Sequence, residues 1–94
     1  MPKAQKLARI FRALSTEARI KIVQLLKKKA LCVNALASHL GISQAAVSQH
    51  MRVLRDAELV KPEKRGYYVH YCLNDKTLAQ WQKLIDELLG ENTE

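Results

Sequence analysis

Cysteine is scarce, acidic side chains are outnumbered, and no apolar run is long. Each shortage closes a possibility. The two cysteines, Cys32 and Cys72, are too few for a disulfide framework, and a small chain from an oxidising compartment ordinarily carries more. Both are expected to rest as thiols. No stretch approaches the roughly 18 apolar residues that a membrane span needs, and the N-terminal MPKAQKLARI has no apolar signal core. The expectation is a soluble, cytoplasmic protein with no membrane partner. No glycine-rich loop is present to cradle a phosphate, and no serine, histidine and acid set stands out. The adjacent Asp86 and Glu87 point differently around a helix and make no catalytic pair. The 94 residues are expected to form one domain over 1–94, with a core too modest to enclose and support a catalytic cleft. Neither an enzyme nor a cofactor is expected.

What is present is basic. Sixteen Lys and Arg face nine Asp and Glu, for a net charge of +7. Residues 1–73 carry 14 basic and 4 acidic side chains, whereas residues 74–94 carry 2 and 5. The main body therefore suits an anionic partner, and the C-terminal segment faces something else.

Leu7, Ile10, Phe11 and Leu14 recur at helical spacing and predict a first amphipathic helix over 4–14. Ser15 is the expected N-cap of a second helix through TEARIKIVQLLKK, with Glu17 in its first turn and Ile20, Val23, Leu26 and their neighbours buried. LCVNALASHL reads as a short third helix closed by Gly41. After the turn GIS, Ser43 caps a longer helix that fades near Ala57, with Val47, Met51 and Leu54 in its core stripe. Beyond Gly66, Val69, Tyr71 and Leu73 alternate with Tyr68, His70 and Cys72, the period of a half-exposed strand. With LVKPE this strand makes a hairpin in which Pro62 is tolerable only at an edge or bulge. Asn74 or Asp75 caps a last helix over 76–89, whose stripe is Leu78, Trp81, Ile85 and Leu88, and the final residues look frayed.

A helix, a short helix, a glycine-containing turn, a longer helix and then a hairpin describe a mainly α winged helix-turn-helix with a β-hairpin wing. The second helix of such a unit lies in the DNA major groove. Gln44, Ala45, Ser48, Gln49 and Arg52 on its outward side are then the candidates for base and phosphate contact. Gln pairs with adenine, Arg with guanine, and Ala packs on a thymine methyl. His50 sits at the edge of the core stripe, between phosphate contact and packing. Lys64 and Arg65, at the expected hairpin tip, suit phosphate or a narrow minor groove, against the alternative of a merely soluble turn. His70 and Cys72 share a strand face, yet further metal ligands would have to come from Cys32, His39 or another subunit, which the spacing does not place, so no metal site is assigned. Cys32 and Cys72 remain possible sensor thiols against an inert reading.

Three segments carry a family resemblance. ALSTEARIKIVQLL, LCVNALASHLGISQAAVSQHMRVLRDAELV and RGYYVHYCL together resemble the arsenic-repressor (ArsR-type) winged-helix transcriptional repressors over nearly the whole chain. The resemblance implies a cytoplasmic homodimer that releases DNA on binding a metal or another inducer, and it aligns His50 with a histidine near the DNA backbone. One departure stands out. Arsenite-sensing members show Glu-Leu-Cys-Val-Cys-Asp-Leu where this chain reads ALCVNAL: Cys32 matches the first cysteine, Asn34 replaces the second, and Ala30 and Ala35 replace the acids. An amide oxygen is a poor substitute for a thiolate toward a soft ion. The family's other sensor site, built on Asp-x-His and a distal His-x-x-Glu, is missing, because residues 74–94 contain no histidine.

The leading expectation is a sequence-specific repressor that binds double-stranded DNA at an imperfect palindrome, as a homodimer joined through helices near 4–14 and 76–89. The inducer is unassigned. The alternatives are a winged helix used for protein interaction and a nonspecific architectural DNA-binding module.

Overall fold

The computed structural model describes residues 2–90; the fraying expected at the C-terminus falls mostly outside them. The chain runs α1 (Lys3–Ala13), α2 (Glu17–Leu26), β1 (Leu31–Cys32), α3 (Val33–Leu40), α4 (Gln44–Asp56), β2 (Val60–Arg65), β3 (Tyr68–Leu73) and α5 (Asp75–Leu89). This is a winged helix-turn-helix, mostly helical with an antiparallel wing.

The helix-turn-helix is shaped by local chemistry. Gly41 adopts φ +68°, the left-handed geometry that ends a helix without a Cβ penalty, and its N–H bonds the Ala37 carbonyl at 2.9 Å. Two residues later the Ser43 hydroxyl accepts the Ala46 N–H at 3.1 Å and starts α4. Val47, Met51 and Leu54, the expected stripe, are buried against Ile22, Leu26, Leu36 and Leu59.

The other end of α4 departs from the usual choice of residue. Leu59 N–H bonds Leu54 O at 3.0 Å and Glu58 N–H bonds Arg55 O at 2.8 Å, while Leu54 and Leu59 are both fully buried. That is a Schellman ending, and its left-handed position is filled by Glu58 at φ +61°. A side chain there costs about 1 kcal/mol relative to glycine. Glu58→Gly is therefore expected to raise stability by about that amount, a gain of roughly 4–8 °C in Tm for a domain of this size. Thermal unfolding followed by circular dichroism measures it.

Three local expectations are corrected. Thr16 is the N-cap of α2, accepting the Arg19 N–H at 3.1 Å, because Ser15 Oγ is engaged with the Arg12 carbonyl at the end of α1. Ile20 is exposed and Ile22 is buried: the inward stripe of α2 runs through Arg19, Ile22, Val23 and Leu26, and Arg19 holds the position that apolar periodicity assigns to Ile20. Residues 31–32 form a strand. Leu31 pairs with Tyr71 and Cys32 with His70, so the sheet has three strands in the order β1-β3-β2. β3 presents a second edge whose N–H and C=O groups need partners, and Leu31–Cys32 supply them before α3 begins. β2 is the opposite edge strand, where Pro62 lacks only a donor that the ladder does not use.

Asn74 caps α5 through its side-chain oxygen. α5 lies beside α1, with Lys3 Nζ 3.0 Å from Glu87. The lysine's hydrogen bond and charge hold the Glu87 carboxyl below its ordinary pKa. That contact is complete at neutral pH and is lost as pH falls through the lowered value; on the surface it contributes little. The α1–α5 pair leaves Phe11, Leu88 and Leu89 exposed. The molecule is elongated, 53 × 23 × 23 Å, with a radius of gyration of 14.5 Å, against about 12 Å for a compact domain of this length.

Candidate nucleic-acid interface

α4 spans 13 residues, about 20 Å of helix. Its inward stripe is held by α2 and α3, so its outward side is presented as a rigid surface. Gln44, Ala45, Ser48, Gln49 and Arg52 are all exposed on it, as sequence periodicity requires. No carboxylate occurs along the helix before its last residue, Asp56. Phosphates would be repelled by any that did.

Arg55, not singled out from sequence, belongs with this surface. Ser48, Arg52, Arg55 and Tyr71 line an open depression of about 530 Å³ between the flank of α4 and β3, with Asp56 the one carboxylate on its wall among the described residues. Two guanidinium groups and a phenol in one concavity suit an anion. The signal was the i, i+3 spacing from Arg52, which places Arg55 between the core stripe and the outward face.

The wing differs in detail from expectation. Lys64 and Arg65 are strand residues, paired with Val69 and Tyr68, and the tip itself is Gly66 and Tyr67. Gly66 adopts φ +63° while Tyr67 does not take positive φ, the signs of a II′ hairpin turn, whose first central position favours glycine. Tyr67 is fully exposed at the tip. Arg65 is engaged with Glu63 at 3.3 Å. Lys64 has no ion pair among the described residues and extends freely to solvent.

His50 is half-buried, and its Nδ1 lies 3.1 Å from Arg19 Nη1. Arg19 lies within the ArsR-like segment ALSTEARIKIVQLL, whose apolar periodicity gives it no role. The cue was a cation on the inward stripe of an amphipathic helix.

Cys32 and Cys72 are free thiols, both half-buried. Register places Cys32 opposite His70 and Cys72 opposite Lys61, so the two cysteines are diagonal neighbours on one sheet face. Such diagonals stand about 7–8 Å apart, beyond the roughly 4.4–6.8 Å that usually separates the Cα atoms of a disulfide. The strands would have to shift before the two could join. The Cys72 thiol instead points toward the Lys61 carbonyl at 3.8 Å, and His70 Nδ1 is buried without a hydrogen-bond partner among the described residues. His39 is exposed at the end of α3. Among the described residues no group of three or more His, Cys, Asp or Glu is placed to hold a metal ion.

Comparison with known proteins agrees with this geometry. The family model "Bacterial regulatory protein, arsR family" matches residues 16–61, from the N-cap of α2 into β2. A transcriptional repressor SmtB homolog of Synechocystis is 33% identical over 92 residues, covering 98% of this chain and 70% of that protein. The arsenical resistance operon repressor of Escherichia coli K12 is 39% identical over 79 residues, covering 83% of this chain and 68% of that protein. Among solved structures, a possible transcriptional regulator for arsenical resistance superposes with a TM-score of 0.77 at 38% identity, over 86% of this chain and 84% of that one. The winged helix-turn-helix, its cation-bearing outward helix and these relatives place the chain in the ArsR family of bacterial regulatory proteins.

Proposed function

We propose that the protein is a sequence-specific transcriptional repressor that binds an imperfect palindromic operator as a homodimer. The observation that carries the reading is α4. A capped helix, held rigidly by a three-residue turn, presents Gln44, Ala45, Ser48, Gln49 and Arg52 to solvent with no carboxylate among them. Gln49 and Arg52 have the bidentate donors that read adenine and guanine in the major groove, and Ala45 suits a thymine methyl. Arg55, Lys64 and Arg65 flank the reading face as phosphate contacts, with the wing directed at the adjacent groove. Two-fold pairing through α1 and α5 would set two copies of α4 about 34 Å apart along DNA, one helical turn. The elongated shape and the exposed Phe11, Leu88 and Leu89 support that pairing. No catalytic step is part of the reading. Cytoplasmic residence accords with a DNA partner, and no described helix is long and apolar enough to cross a membrane.

Release by an inducer is assigned to a thiol, Cys32 or Cys72, rather than to either of the family's metal sites, because the ligands of both are incomplete in this chain.

The test is binding to an operator selected from random DNA, measured across a salt series. A steep fall in affinity with salt is expected from counterion release, together with strong preference over a scrambled site. Lys64→Ala should weaken all sequences alike and lower the salt slope by about one. Salt-insensitive association would favour a protein-interaction module, and equal binding to scrambled DNA an architectural one.

A further inference from the structure

We propose that Arg19 is a positioning residue that holds His50 as a neutral ring protonated on Nε2, so that His50 donates this N–H to a DNA phosphate oxygen. The inference rests on the DNA-reading role of α4 proposed above, and it deepens that role by naming the donor atom and what sets it. Three observations carry it.

The first is donor logic. A guanidinium has five N–H donors and no acceptor. Its contact with His50 Nδ1, at 3.1 Å from Nη1, therefore requires a lone pair on Nδ1. An imidazolium has none, and the Nδ1–H tautomer has none at that atom. Only the neutral ring with its proton on Nε2 satisfies the contact.

The second is that Arg19 is itself fixed. Its Nε–H donates to the Ala13 carbonyl at 2.7 Å, and Nη2 donates to the Arg12 carbonyl at 3.3 Å and to Ser15 Oγ at 3.4 Å. These carbonyls are the C-terminal end of α1, where the helix dipole favours a cation. The Arg19 backbone N–H is held by the Thr16 cap at 3.1 Å. A group tied at this many points cannot follow the histidine, so the histidine conforms to it.

The third is where the ring's other nitrogen goes. His50 is half-buried beside the exposed Gln49, and Nε2 is neither buried nor bonded to protein among the described residues. The rim of a helix seated in the major groove meets the groove wall, which is phosphate; the centre of its face meets bases. An Nε2–H on that rim is a neutral donor to a phosphate oxygen. The same arginine thereby ties the end of α1 to the reading helix.

Two measurements test this. In the free protein at pH 7.5, nitrogen–proton correlation of the histidine rings should show His50 with a proton on Nε2 and none on Nδ1. Arg19→Met, which keeps length but has no donor, should replace that pattern by an average of both tautomers. The second measurement uses His50→Asn, whose side-chain oxygen retains an acceptor for Arg19 but offers nothing at the Nε2 position. Loss of a hydrogen bond to a charged group should weaken operator and scrambled DNA alike by about tenfold or more, with the salt slope unchanged, because a neutral donor releases no counterion. A proton on Nδ1 in wild type, a nitrogen pattern indifferent to Arg19→Met, or full binding by His50→Asn overturns the proposal. So does a salt slope reduced by about one, which would mean the ring binds as a cation. Should wild type show the expected ring but no salt-steep DNA binding, the DNA reading fails and the phosphate contact with it, while the Arg19–His50 link stands.

Discussion

A variant carrying both Phe11→Glu and Leu88→Glu is expected to sediment as a monomer and to lose tight operator binding. Both side chains are exposed on the α1–α5 pair, 43% and 52%, so neither substitution disturbs the core of one chain. Trp81, the more obvious target from sequence, packs partly against that core, and a charge there would damage folding as well as pairing. Each substitution occurs twice in a two-fold interface. Removing about 2 kcal/mol of apolar burial per copy at one position weakens association by about 4 kcal/mol, roughly a thousandfold. Operator affinity falls with it, since one half-site supplies only part of the contact energy. Sedimentation at micromolar protein, with circular dichroism to verify the helices, measures the effect. A folded variant that stays dimeric would place the interface elsewhere.

The second large effect concerns the sensor. Arsenite and zinc at micromolar levels are expected to leave the wild-type complex on its operator, and Asn34→Cys is expected to confer release by arsenite. Cys32 stands at the N-cap position of α3 and Asn34 is exposed in its first turn, so the substitution puts two thiols at the start of one helix. In wild type the nearest alternative thiol, Cys72, is the diagonal neighbour across the sheet, and no three-ligand group completes a site among the described residues. Soft thiophilic ions need two or three thiolates, which wild type lacks in one place. Release titrations of wild type, Cys32→Ser, Cys72→Ser and Asn34→Cys with arsenite, zinc and hydrogen peroxide in parallel separate the cases. Stoichiometric release of wild type by arsenite, lost in Cys32→Ser, would contradict this account.

Which features could be read ahead of the structure follows from how much local information each carries. α4 was legible from cap to end because its apolar residues keep a helical period and Ser43 and Gly41 have one geometric role each. For the same reason Pro62 was confined to an edge or a bulge and the α5 cap to Asn74 or Asp75, of which the structure has the edge and Asn74. β1 was not. Two residues have no period, and Leu31–Cys32 are extended only because β3 presents an open edge to them. The burial of Ile22 over Ile20 also escaped, since a stripe traced through apolar residues alone overlooks Arg19 at its head. At the site, the exposed residues of α4 followed from the wheel, whereas the His50–Arg19 contact joins residues 31 apart in sequence and depends on packing of α2 against α4. The wing cations Lys64 and Arg65 were expected at the tip but lie in β2; the tip belongs to Gly66 and Tyr67 because the hairpin pairs through Arg65 and Tyr68.

The reading face is tested most directly by a specificity ratio: affinity for the selected operator divided by affinity for the same site with its central half-site bases changed. Gln49→Ala and Arg52→Ala are each expected to lower that ratio by about tenfold or more, since one bidentate base contact is worth roughly 1–3 kcal/mol of discrimination. Lys64→Ala should leave the ratio unchanged while weakening both DNAs. An undiminished ratio in both Gln49→Ala and Arg52→Ala would contradict the assignment of α4 as the helix that reads DNA.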